Sequence, residues 1–524
     1  MADFDLLIRG GTVIDGSGKP RLRADVAVRA DRIAAVGILP GASAKTTIDA
    51  VGLIIAPGFI DVHNHSDGWL LKTPNFASKT LQGFTTEVLM SDGISYAPVT
   101  PELAPQWLYY LRSLNGLVQH DYRGWQSIGD YLALLHRRTV QNVVAQVPYA
   151  NVRVLALGWG REQPDDSQLR RMRYEVRRGM DEGATGVSTG MDYVSQCFAD
   201  TDELVEVIAA SSPSGGIFVT HVRYKRGTLA GVREAVEIGR RAGVAVHISH
   251  LKASSSREAD ELLTYIDQTA LHEVDFSFDI YPYTPGSSML NSLLPYEVWE
   301  DGPLGVLSRL ADPVVRRRFA VQLADGVLNL DNIRIAWVGS VDNQPLLGMS
   351  LAEYTRRDER SPADAICDLL IEENLAVNCV FHLADGAVVE PFLTHSRFML
   401  GSDGIFFPDA LIHPRQFGSA ARMLGTLVRD RRLFTLEAAV RKMTSIPAAR
   451  FGLTDRGQIA EGAFADIVAF DPDTIADRAT FADPQQYASG VEHVIVNGTL
   501  IVTAGTPIDQ FDGPLPGRAL RYRA

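Results

Sequence analysis

From residue 84 to residue 401 short apolar runs alternate with amphipathic stretches, a rhythm that leaves the chain few architectures to choose from. The runs are Phe84–Met90, Arg153–Leu157, Gly186–Thr189, Ile217–Thr220, Ala245–Ser249, Phe276–Ile280 and Phe398–Gly401. Continuous apolar stretches of this length suit strands buried on both faces, as parallel strands covered by helices are. Helical partners are legible in Glu203–Ala210 and Gly231–Ala242, where apolar residues recur at three- and four-residue spacing; the second ends at Gly243, a residue suited to a left-handed C-cap. Repeated β-α units predict an α/β fold, a TIM-like (β/α)8 barrel occupying residues 58–449. The rhythm breaks between about 287 and 345, where an insertion or lid is expected.

The two ends of the chain have another texture. Phe4–Gly16 and Ala24–Ile33 are strand-like segments punctuated by Gly and Asp, and the pattern returns in Gly462–Pro472 and Val491–Gly498. Neither end encloses a core alone, so the expectation is one small β-sandwich domain built from residues 1–57 and 450–524. A length of 524 residues agrees with two domains. The net charge of −13 leaves no basic footprint for nucleic acid or an anionic membrane, and no apolar run is long enough to span a bilayer. Met1-Ala2-Asp3-Phe4-Asp5 carries acid where a secretory leader carries Lys or Arg, so a cytoplasmic protein is expected. Cys197, Cys367 and Cys379 are too few and too scattered for a disulfide framework.

Chemistry-bearing residues gather where the apolar runs end. Pro57-Gly58-Phe59-Ile60-Asp61-Val62-His63-Asn64-His65 places two histidines at i and i+2, projecting to one side. An isolated His-x-His more often makes ordinary hydrogen bonds than it holds a metal; its company reverses that expectation. Asp92 follows the run that ends at Met90, His221 follows Ile217–Thr220, His250 follows Ala245–Ser249, and Asp403 follows Phe398–Gly401. His63, His65, Asp92, His221, His250 and Asp403 form a His/carboxylate set spread over five β-α ends, the face on which such barrels carry their chemistry and a donor set that Zn²⁺ favours. Glu87 sits mid-strand and is the weaker carboxylate candidate, and His247, three residues before His250, is expected to be structural.

With their neighbours these residues resemble the D-aminoacylase (N-acyl-D-amino-acid deacylase) branch of the amidohydrolase superfamily, nearly end to end. The likeness is carried by Ala56–His65, Gly183–Gly190, His221-Val222-Arg223, His247–Lys252, Tyr281-Pro282-Tyr283, Gly401–Gly404, His413-Pro414-Arg415, Arg441–Ala448 and Ala465–Val468. It implies a metal-bearing barrel beside a β-sandwich, with Zn²⁺ as one or two ions or another divalent metal, and a small-molecule substrate bearing a free carboxylate. By this resemblance His63 and His65 match the first metal ligands, His221 and His250 match those of the tightly held zinc, and Asp403 matches the catalytic aspartate. Many members have a Gly-Asn-Cys-Gly segment whose cysteine binds the metal. Met90-Ser91-Asp92-Gly93 stands there instead, so Asp92 or Glu87 replaces the thiolate. Lys252, Tyr283 and Arg415, with Ser288 nearby, match the anchors of the substrate carboxylate, and Arg223 is counted with them. Val194-Ser195-Gln196-Cys197 departs from a Pro-Gly turn of the relatives, which puts Cys197 near the site or leaves it as packing.

The expected reaction is metal-dependent hydrolysis of the amide of an N-acyl-D-amino acid, or of a dipeptide with a D-residue at its carboxyl end. Asp403 would take the proton of the attacking water and pass it to the departing amine. The mostly apolar Met289–Leu294 hints at a neutral amino-acid side chain. The alternative is a cyclic-amide hydrolase resembling hydantoinases or dihydroorotases, which bridge two metals with a carboxylated lysine; no lysine ends an early-to-middle strand here. A metal-free scaffold would be expected to lose ligands that this chain keeps. A homo-oligomer is the default expectation.

Overall fold

The structure, a computed structural model, describes residues 2–324, 328–357, 360–382 and 388–522. Residues 1 and 523–524 of the expected terminal domain and 325–327 of the expected insertion lie outside the described residues. The chain opens with β1 (Phe4–Val13), β2 (Leu22–Arg29), β3 (Arg32–Gly37), β4 (Ala44–Asp49) and β5 (Ile54–Pro57). Next come β6 (Phe59–Asp61), β7 (Phe84–Leu89) and β8 (Asn142–Ala145), parallel neighbours in that order. One residue later β9 (Val147–Pro148) starts a second parallel sheet through β10 (Gly186–Gly190), β11 (Ile217–His221), β12 (Ala245–Ile248) and β13 (Phe276–Ile280). The three strands β14 (Gly286–Met289), β15 (Ile333–Val338) and β16 (Val377–Phe381) form a separate antiparallel sheet, after which β17 (Phe398–Leu400) pairs with β13. The last strands are β18 (Ile467–Phe470), β19 (Val491–Val496), β20 (Thr499–Thr503) and β21 (Thr506–Pro507).

The ends of the chain meet in one nine-stranded sheet, joined where β5 runs antiparallel to β18 with Ile55 opposite Ala469. Leu6, Val26, Ile55, Ile467 and Ile495 share its buried apolar cluster, so neither terminus has a core without the other.

The parallel strands are buried along their length apart from their margins, which is why they read as continuous apolar runs. Beyond β6 and β17 the chain also meets: His65 N donates to Gly404 O at 3.0 Å and Asp403 N to His63 O at 2.7 Å. Residues from the first and the last of these strands therefore face one another at their carboxyl ends. The helix Thr228–Ala242 ends at Gly243 in the left-handed conformation, as expected.

Two expectations need correction. Arg153–Leu157 is not a strand but part of a helix, Tyr149–Leu157, bounded by Pro148 and Gly158; the strand lies earlier, at Asn142–Ala145. The short apolar run misled because, at this length, a buried helix segment and a buried strand look alike in sequence, and Arg153 within it does not face water. It is fully buried, its Nε donating to Glu203 at 2.8 Å and its terminal nitrogens to the carbonyls of Gly160 and Glu162. The interruption of the β-α rhythm also extends past 345, since β16 completes its sheet at Phe381 and the helix Glu390–Thr394 precedes β17.

Candidate metal centre

Every member of the His/carboxylate set stands at or just beyond the carboxyl end of a parallel strand. His63 and His65 follow β6, Asp92 follows β7, His221 ends β11, His250 follows β12 and Asp403 follows β17. Three of them bend the chain sharply: Asp92, His250 and Asp403 have φ of 58°, 36° and 48°, in the left-handed region that non-glycine residues seldom occupy. Neighbouring bonds hold these turns. Gln196 Nε2 donates to Asp92 O at 2.9 Å, Asp279 Oδ1 accepts from His250 N at 2.9 Å, and Asp403 N is bound to His63 O.

The side chains converge. His63 Nε2 is 3.5 Å from Asp92 Oδ1 and 3.7 Å from Asp403 Oδ1; His65 Nε2 is 3.2 Å from Asp403 Oδ1 and 3.8 Å from Asp92 Oδ2. His250 Nε2 is 3.8 Å from Asp92 Oδ1 and 3.0 Å from His221 Nδ1. Two ligands of one tetrahedral zinc, each about 2.0–2.2 Å from the ion, stand about 3.4 Å apart. Most of these separations are too long for hydrogen bonds and close to that spacing. Both ring nitrogens of the fully buried His63 and Oδ1 of Asp92 have no hydrogen-bond partner among the described residues; for Nε2 and Oδ1, which face the centre, this is a costly arrangement unless a cation satisfies them. His63, His65 and Asp403 form one group able to hold an ion, and His63, Asp92 and His250 form another.

Charge leads to the same conclusion. Burial favours neutral His63, yet Asp92, Asp279 and Asp403 together outweigh it and raise the imidazole to about 10. Burial opposes ionisation of Asp92, Asp279 and Asp403 as well, and their cationic neighbours still hold all three below the ordinary carboxylate range. Three carboxylates around two adjoining histidine groups create a strong demand for positive charge at the centre. Glu87 does not take part: it is buried in β7, accepts from Gln141 Nε2 at 2.5 Å, and burial raises it to about 7. Of the two carboxylates the resemblance left open, Asp92 is the one that stands with the histidines.

The distal nitrogens of the histidines meet four partners that sequence reasoning missed. Asn115 Oδ1 is 3.2 Å from His65 Nδ1, Tyr224 OH is 3.3 Å from His250 Nδ1, Asp279 Oδ2 is 3.6 Å from His63 Nδ1, and Asp192 Oδ2 is 3.5 Å from His221 Nε2. Asp279 carried a signal, an acid inside the apolar run Phe276–Ile280; the other three carried none. His247 is held by Ser277 and Asp279 at 2.8 and 2.9 Å and keeps its structural role. Lys79, buried under the site, bonds both Asp61 and Ser402 at 2.5 Å and ties the His-x-His segment to the Asp403 turn.

A pocket of roughly 470 Å³ opens over the centre, and His65, Asp92, His221, His250 and Asp403 all line it. Of the expected anchors, Lys252 and Ser288 line it too. Arg415 is buried behind Asp403, its Nη1 2.8 Å from Asp403 Oδ2 in an ion pair without hydrogen-bond alignment and its Nη2 donating to Ser287 O at 3.1 Å. Two anchors are misplaced. Tyr283 is not on the pocket wall: a tight turn, Tyr283 N to Tyr281 O at 2.9 Å, follows β13, so the residues at i and i+2 diverge. Its hydroxyl donates to Asp477 at 3.2 Å, and Tyr281 lines the pocket, accepting from Lys252 Nζ. Arg223 is also absent from the wall. Its guanidinium is buried against Glu234 at 3.0 Å and the carbonyls of Met191, Cys197 and Ala199. Cys197 is packing: buried away from the pocket wall, its thiol is pushed up to about 12 by burial.

Comparison with known proteins places this geometry. The amidohydrolase family model matches residues 46–302 and 394–502, omitting most of the stretch that contains β15 and β16. N-acyl-D-glutamate deacylase from Alcaligenes xylosoxydans xylosoxydans is 37% identical over 530 residues, covering 99% of this chain and 97% of that protein. D-aminoacylase from the same organism is 36% identical over 532 residues, covering 99% and 98%. A crystal structure of N-acyl-D-glutamate deacylase from Bordetella bronchiseptica, complexed with zinc and a phosphonate mimic of the tetrahedral intermediate, superposes with a TM-score of 0.83 at 32% identity over 99% of both chains.

Proposed function

The chain belongs to the amidohydrolase family, and from that premise we propose that it hydrolyses the amide of N-acyl-D-amino acids, releasing a free D-amino acid and a carboxylate. The observation that carries the reading is the convergence of unpartnered His63 and Asp92 atoms with His65, His221 and His250 beside an ion-paired Asp403. The preference for linear N-acyl-D-amino acids is supported by relatives matched over 99% of this chain, one named N-acyl-D-glutamate deacylase and one D-aminoacylase. Architecturally we read β6 to β13 with β17 as a closed (β/α)8 barrel spanning 58–449, and the terminal strands as a β-sandwich domain of 1–57 and 450–524. Three unpaired cysteines suit a reducing, cytoplasmic setting.

In this reading His63, His65, Asp92, His221 and His250 hold one or two Zn²⁺ ions. When bound, a divalent cation supplies Lewis acidity, which makes water acidic near neutral pH and polarises a carbonyl oxygen. Asp403 does the proton work. Arg415 beside its Oδ2 keeps the carboxylate ionised and fixed, leaving Oδ1, on the side of His63 and His65, to accept the proton of the attacking water. The same oxygen then returns that proton to the amide nitrogen as the C–N bond breaks, so the amine leaves neutral. Lys252, Tyr281 and Ser288 are placed to receive the substrate carboxylate, an ammonium and two hydroxyls on one wall.

The test is hydrolysis of paired N-acetyl-D- and N-acetyl-L-amino acids by metal-replete enzyme, with Asp403→Asn as control. Amine release confined to D-substrates, reduced about 10²–10⁴-fold in the variant while it retains metal, is expected. No release from any pair in protein shown to hold metal would overturn the reading.

A further inference from the structure

The pocket over the metal centre contains two lysines with different surroundings. Lys252 Nζ donates to the Tyr281 hydroxyl and lies 3.3 and 3.1 Å from the carbonyls of Thr284 and Pro285, contacts that hold it beside Tyr281 and Ser288 on the wall assigned to the α-carboxylate. Among the described residues Lys225 Nζ donates only to Leu294 O, at 2.8 Å, and rests 4.7 Å from the centroid of the Tyr296 ring. Among the described residues Lys225 has no ion pair, and its side chain stays exposed on the pocket wall. Asp192 shares that wall but is engaged elsewhere. Its Oδ1 accepts from Tyr296 OH, and its Oδ2 accepts from the backbone N of Lys225 at 3.3 Å and faces His221 Nε2.

The two ammonium groups are tied to opposite ends of residues 284–294, so they address different parts of an occupant. The apolar run expected to face the substrate does not reach it: Met289, Leu290, Leu293 and Leu294 are buried in the core, and Ser292 is on the wall in their place. What the pocket offers beyond the first carboxylate anchor is therefore a second ammonium with unused donors, a group that an anion satisfies and a hydrocarbon leaves unpaired.

Resting on the deacylase reading, we propose that Lys225 is a specificity-determining residue that receives a second carboxylate of the substrate. The favoured substrates are N-acyl-D-amino acids with one anionic group beyond the α-carboxylate, carried by the side chain or by the acyl chain.

The test compares kcat/KM for isosteric pairs, N-acetyl-D-glutamate against N-acetyl-D-glutamine and N-succinyl-D-leucine against N-succinamoyl-D-leucine, in the natural enzyme, Lys225→Met and Lys225→Arg. The acid should be favoured about tenfold or more in at least one pair, and the pair that shows it identifies which part of the substrate carries the charge. Lys225→Met should bring that ratio close to one, and Lys225→Arg should preserve much of it. Equal or better turnover of the neutral member in both pairs overturns the proposal, as does a preference that survives in Lys225→Met. If N-acetyl-D-leucine and all four compounds are inert, the deacylase reading itself falls and the proposal with it.

Discussion

Replacing Asp192 by Asn should weaken zinc binding while leaving the fold intact. His63, His65 and His250 turn Nε2 toward the centre, whereas His221 turns Nδ1 toward His250 and presents Nε2 to Asp192. A ligating nitrogen needs its lone pair, so His221 has to carry its proton on Nε2, and a carboxylate 3.5 Å away stabilises it there. Asparagine does not reproduce this. Tyr296 OH donates to Oδ1, whereas Lys225 N donates to Oδ2, the oxygen that also faces His221, so one amide oxygen serves only one side. With the oxygen toward His221 the carboxylate charge that holds the proton on Nε2 is gone; with the oxygen toward Tyr296 the NH2 group faces His221 and favours the opposite tautomer. Loss of such an outer partner typically costs about 10–100-fold in metal affinity, or about 1.4–2.8 kcal/mol. The measurement is zinc competition between metal-free protein and a chromogenic chelator, with unfolding of the metal-free protein as the check on structure. A zinc affinity equal to that of the natural protein, in a variant that folds normally, would refute the tautomer argument.

Arg223→Met should behave as a stability mutant, because it leaves Glu234 and three carbonyls without their buried partner. A loss of about 3–5 kcal/mol in urea unfolding is expected, with KM unmoved; a raised KM in a fully stable variant would return Arg223 to the substrate. For Glu87, burial raises the folded-state value from 4.5 to about 7, Lys79 opposing and Asp61 adding to it. The folded protein then binds the extra proton, so this contribution is complete below about 4.5 and is lost as pH rises through about 7. Relative to Glu87→Gln, the natural metal-free protein should lose stability across that window, by on the order of 3 kcal/mol at most; identical pH profiles in denaturant unfolding would show that Glu87 does not titrate there.

The parallel strands were legible because burial on both faces removes polar residues from short runs, and the metal centre was legible because its donors follow those runs directly. His221 and Asp403 needed no more than that reading. Arg153–Leu157 defeated it: four apolar residues in a row fit a buried strand or one turn of a buried helix equally, and the helix Tyr149–Leu157 is what forms. Tyr283 was expected from the resemblance alone; β13 stops at Ile280, and the turn that follows carries Tyr283 off the pocket wall and leaves Tyr281 on it. Arg223 has the right chemistry for a carboxylate, but its partner lies one helix away, at Glu234, and spacing does not reveal which acid an arginine chooses. Asp192 and Asn115 stand in loops whose course depends on the packed fold, and nothing local marks them as partners of histidines.

The same features that make the centre suitable for a cation make it unfavourable without one. Left-handed conformations at Asp92, His250 and Asp403 cost about 1–3 kcal/mol each, and unpaired buried atoms on His63 and Asp92 add to that. Lys79, Asp61, Ser402 and Asp279 are buried polar residues that contribute no ligand to the two groups around His63; they bind the strand ends and turns on which the donors stand. Their burial is intelligible as the restraint that holds a strained, charge-deficient site open. Arg415 offsets one of the three central carboxylates through Asp403, and protonation of His63 offsets part of the rest. A divalent ion would relieve the repulsion and satisfy Nε2 of His63 and Oδ1 of Asp92 at once, so folding stability and metal affinity draw on the same few charges.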